Sequence, residues 1–61
     1  MDTVEELVES YICGNIGWVR GKLKTASKVK VLKFAQMLTE TTQHNEYPED
    51  GTAVTIRILE G

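Results

Sequence analysis

Apolar residues recur along the first twelve positions at helical spacing. Val4, Leu7, Val8, Tyr11 and Ile12 fall at i, i+3, i+4, i+7 and i+8, which gathers them on one stripe of an amphipathic helix. Thr3 followed by Glu6 matches a capping box, and Gly14 supplies a left-handed stop, so the pattern predicts a helix over residues 3–13. Asn15 stands where a second helix would be capped, and Ile16, Val19 and Leu23 then share a face. Trp18 points away from that stripe. Gly17 and Gly21 lie one turn apart beside it, each costing on the order of 1 kcal/mol relative to alanine. Close approach of another backbone is the physical reason that would justify them; an irregular helix or a loop is the alternative.

Thr25, Ala26 and Ser27 make a polar break, with Ser27 placed to cap a third helix reaching Glu40 or Thr42. Val31, Leu32, Phe34, Ala35 and Leu38 form its broad apolar face, while Val29 and Met37 stray onto the polar side. The stretch KLKTASKVKV also alternates well enough for a β-hairpin, which would make the protein α+β with a central hairpin. The helix is preferred because VLKFAQML loses the alternation and continues with good helix formers.

After a polar stretch that reads YPEDG as a turn, TAVTIRIL alternates again. Val54, Ile56 and Ile58 face one way and Thr55, Arg57 and Leu59 the other, with β-branched residues dominating. The expected fold is therefore mainly α, three short helices followed by a C-terminal β-strand. A lone strand exposes unpaired amides and carbonyls, so its pairing between subunits is expected, making Val54, Ile56 and Ile58 a homodimer interface.

Length sharpens that expectation. A chain of 61 residues is a single small domain, residues 1–61, burying only about 60% of the surface its unfolded form exposes. One cysteine closes no internal disulfide, and Cys13 with His44 is too small a set for zinc, so neither metal nor cofactor is expected. No apolar run is long enough to span a bilayer, and acids stand where a signal peptide would carry positive charge, which points to a cytoplasmic protein without membrane contact.

The net charge of −2 conceals segregation. Asp2, Glu5, Glu6 and Glu9 open the chain; Arg20, Lys22, Lys24, Lys28, Lys30 and Lys33 follow in one block. Such a block is either a solvated face balanced by the acids or a positive surface for an anionic partner. Candidate chemistry is sparse. His44 sits in a polar stretch, Cys13 has no base beside it, and the glycines do not match a phosphate loop. So small a core leaves little room for a dry pocket. The expectation is no enzyme and no small-molecule substrate, but a homodimeric protein-binding module: an inhibitor, an adaptor or an antitoxin-like accessory protein, of a size that would suit a phage or mobile element. Trp18 and the six basic residues are its candidate contacts. The alternative is a small dimeric transcriptional regulator binding nucleic acid through the same basic surface. The overall acidity and a break unlike a helix-turn-helix favour protein over nucleic acid.

Overall fold

The computed structural model describes residues 3–61; Asp2 of the acidic cluster lies outside them. Four helices follow one another: α1 (Val4–Ile12), α2 (Ile16–Thr25), α3 (Lys28–Thr42) and α4 (Gly51–Glu60). Around the core the neighbours run α1, α3, α4, α2 and back to α1, so α2 packs on α1 and α4 although a two-residue link joins it to α3. Leu7 and Val8 of α1, Val19 and Leu23 of α2, Phe34, Ala35 and Leu38 of α3, and Val54 and Ile58 of α4 are buried. Each of these side chains other than Ala35 contributes about 1.5–3 kcal/mol through removal from water.

The first three helices start and stop close to where their residues predict. Thr3 Oγ1 accepts from the Glu6 amide at 3.2 Å and Ser27 Oγ from the Lys30 amide at 3.3 Å, each satisfying an amide that the first turn leaves orphaned. Gly14 closes α1 with φ of 91°, a backbone state that L side chains rarely adopt. Asn15 precedes α2 but makes no side-chain capping bond. The hairpin alternative is excluded, since its residues lie in α2, the link and α3.

The C-terminal strand is not formed: residues 51–60 are helix, and the described residues hold four helices rather than three. Val54 and Ile58 are four apart, an even number and also about one helical turn, so they share a face in either conformation. Ile56 separates the two cases; it is 51% exposed and points opposite to its two supposed companions. Helical winding instead buries Gly51, Val54, Thr55 and Ile58 together. Burying Val54 and Ile58 in the core outweighs the few tenths of a kcal/mol by which each β-branched residue disfavours a helix. Asp50 starts the helix by accepting the Thr52 amide at 3.0 Å. The acid and glycine of YPEDG therefore belong to a helix start. The expected homodimer interface of Val54, Ile56 and Ile58 loses its basis: no strand edge is present among the described residues, and Val54 and Ile58 lie in the core of their own chain.

The α3–α4 contact is close. A Cβ on Gly51 would collide with the Ala35 carbonyl and the Thr39 hydroxyl. The Gly51 amide donates to Thr39 Oγ1 at 2.7 Å, and that hydroxyl donates on to Ala35 O at 3.0 Å. Thr42, buried, accepts the Glu49 amide at 3.1 Å, and Thr55 returns its hydroxyl to Gly51 O at 2.6 Å. By contrast, a Cβ on Gly17 or Gly21 meets nothing within 4 Å, so no other helix among the described residues approaches them closely. The expected close-approach glycine exists at Gly51, not in α2.

Candidate binding surface

The fold disperses the basic block. Arg20, half-buried on α2, turns inward and donates Nε to Ile58 O at 2.8 Å, placing its charge on the carbonyl end of α4 where the helix dipole is negative. Lys22, one turn after Trp18, lies with Nζ 5.6 Å from the centroid of the indole ring, within the range of a cation–π contact. Trp18 itself is half-buried against the core, and its remaining surface walls a shallow concavity of about 330 Å³ with Glu6, Glu9 and Cys13. Trp18 and Arg20 thus each make a contact within the fold and also line a surface concavity. Lys30 is half-buried.

Lys24, Lys28 and Lys33 are the fully exposed members. Lys28 and Lys33 flank two side chains that the core does not take up: Val29 is 63% exposed and Leu32 54%. At about 100° per residue, Leu32, Gln36 and Val29 follow one another between the Lys28 and Lys33 edges. The strip thus sets two aliphatic side chains, with Gln36 between them, inside basic rims. Residue periodicity assigned Leu32 to the core; it lies on the flank of the stripe, and the narrower set Phe34, Ala35, Leu38 and Thr42 suffices to fill the space.

The placement of these lysines runs against helix electrostatics. The first turn of α3 holds no acid, while Lys28 and Lys30 bring positive charge to the positive end of the dipole. Each such placement costs about 0.3–1 kcal/mol where exposed. α1 follows the rule, with Glu5 and Glu6 in its first turn. Departures of this kind concentrate where a surface serves something other than folding.

The other candidates for chemistry lie apart. His44 is exposed in the α3–α4 connection, Cys13 is exposed after α1, and Tyr47 is 80% exposed. Among the described residues no three His, Cys, Asp or Glu side chains are grouped to hold a metal ion, and no helix is long and apolar enough to cross a membrane. No protein-family model, no curated protein and no solved structure matches the chain.

Proposed function

We propose that the chain is a non-catalytic protein-binding module that uses the outward face of α3 to dock an acidic amphipathic segment of another protein. The observation that carries this reading is the exposed Val29–Leu32 pair set between Lys28 and Lys33 at a helix start that has no acid of its own. An apolar anchor from the partner would cover Val29 and Leu32, and flanking carboxylates would meet the lysines and the positive end of the α3 dipole. Nucleic acid fits this surface less well. A phosphate-binding stripe gains from charge along its length, whereas here the centre is aliphatic and Arg20, the sole arginine of the block, is engaged inside the fold.

The test is a chemical-shift titration of the labelled chain with a capped helical peptide of leucine and glutamate, a lysine-for-glutamate version, and a random-sequence DNA duplex. The acidic peptide is expected to shift the amides of residues 28–36, with binding weakened about tenfold or more by Leu32→Glu. Leu32 is exposed, so that variant keeps the fold. Equal binding of the lysine peptide defeats the reading. Duplex binding that falls steeply with salt and is abolished by reversing Lys28 and Lys33 replaces it with the regulator.

A further inference from the structure

A different concavity opens where α1, α2 and α4 meet. Its volume is about 280 Å³, and it is lined by Tyr11, Ile16, Arg20, Val54, Arg57, Ile58 and Gly61. The floor is aliphatic: Val54 and Ile58 are buried core residues whose edges reach the notch, and Ile16 is half-buried beside them. Both guanidinium groups of the chain stand at its rim, although they are thirty-seven residues apart in sequence. Folding therefore assembles a positive edge that no local charge run announces.

The two arginines are not equivalent. Arg20 commits Nε to the Ile58 carbonyl. A guanidinium has five N–H groups in a planar fork, so four donors of Arg20 remain for a ligand, held in place by the bond already made. Arg57 is exposed and has neither hydrogen bond nor ion pair among the described residues. Tyr11 contributes its ring as a wall rather than its hydroxyl as a donor, because that hydroxyl sits 3.5 Å from both carboxylate oxygens of Glu49. Glu49 makes the tyrosine end unfavourable to an anion. The charged head of a ligand is thereby directed to the arginines and its apolar part to Ile16, Val54 and Ile58.

We propose that this notch binds a carboxylate carried on a small apolar body, with Arg57 and the free donors of Arg20 on the carboxylate and the aliphatic floor beneath the body. Planar, bidentate recognition of carboxylates is the task for which arginine is suited over lysine, and the lysines of the chain are absent from this wall. The volume falls just below the usual range for small-ligand sites, which restricts the ligand to one smaller than a drug-sized molecule. The inference departs from the expectation, drawn from chain length, that no small molecule is held, and it does not depend on the docking face of α3.

A free organic acid and the C-terminal residue of a peptide present this same chemistry. Methyl chemical shifts of Ile16, Val54 and Ile58 in the full chain report on the floor of the notch, with octanoate, N-acetyl-leucine and N-acetyl-leucinamide as probes. The acids are expected to shift these methyls, and the amide to bind about tenfold more weakly because it lacks the charge. Preference for octanoate identifies a free acid as the source; preference for N-acetyl-leucine identifies a chain terminus. Arg57→Gln removes an exposed charge without touching the core and is expected to weaken the acids about tenfold. Three results overturn the proposal: methyls unmoved by both acids, amide binding equal to acid binding, or acid affinity unchanged in Arg57→Gln.

Discussion

The α3–α4 seam and the surface of α2 both carry glycine, and they use it in opposite ways. At the seam, Gly51 lets the start of α4 press against the Ala35 carbonyl, and three threonine hydroxyls, Thr39, Thr42 and Thr55, take up backbone groups around the contact. On α2, Gly17 and Gly21 face open space: a Cβ at either would meet nothing within 4 Å. One glycine is a packing requirement and the others are a conformational cost without a structural return. A glycine's neighbours in space, rather than its spacing along a helix, decide which case applies.

The sharpest way to break this contrast is Gly51→Ala. The added methyl has only backbone and a committed hydroxyl to push against, so α4 must shift or detach, at a cost of about 3 kcal/mol. That approaches the whole stability of a domain this small, and circular dichroism in urea should show a largely unfolded or strongly destabilised protein. A stability loss no greater than that of an ordinary surface substitution would mean that the seam is loose.

Thr39→Val probes the same contact at constant shape. It leaves the Gly51 amide without its acceptor at the helix start, with an expected loss of about 1–3 kcal/mol in the urea midpoint. In the other direction, Gly21→Ala should raise stability by about 1 kcal/mol and Gly17→Ala by less, since Gly17 lies in the first turn. A loss of stability on either alanine substitution would show that another backbone does approach α2, in a second copy or a partner.

The sequence was legible where local chemistry and periodicity agreed. Thr3, Gly14 and Ser27 mark boundaries through bonds or dihedrals made within a few residues, and Leu7, Val19, Phe34 and Leu38 follow the helical repeat into the core. The last helix was not, because Val54 and Ile58 satisfy both periods and the β-branched content favoured the wrong one. The informative residues were Gly51 and Thr55, which lie with Val54 and Ile58 at i, i+4, i+3 and i+7; read as a turn glycine and an outward threonine, they concealed the pattern. The site was less legible still. Arg20 belongs to a run of positive charge in sequence, but its partner is a carbonyl thirty-eight residues away, which its place in the run does not announce. Arg57 gains its significance only when helical winding turns it toward the same notch.

The smallest effect concerns Tyr11, which links α1 to the segment entering α4. Its hydroxyl lies 3.5 Å from the Glu49 carboxylate, at the long limit of a hydrogen bond, so Tyr11→Phe should change stability at neutral pH by less than about 0.5 kcal/mol. Its titration is more telling. Burial first, and then the negative charge of Glu49, raise the phenol above its ordinary value of 10.0, with Arg57 acting in the opposite direction. The folded chain therefore holds this proton more tightly than the unfolded chain. The resulting stabilisation is complete below the unfolded value and is lost as pH rises from it through the folded value. Urea midpoints of the parent and Tyr11→Phe proteins, measured from neutral to strongly alkaline pH, should run parallel up to about pH 10 and then converge or cross, the parent losing more. Lysine titration is common to both proteins and cancels in the difference. Curves that stay parallel throughout would place Tyr11 in solvent, apart from Glu49, and would remove one wall of the notch that Arg20 and Arg57 border.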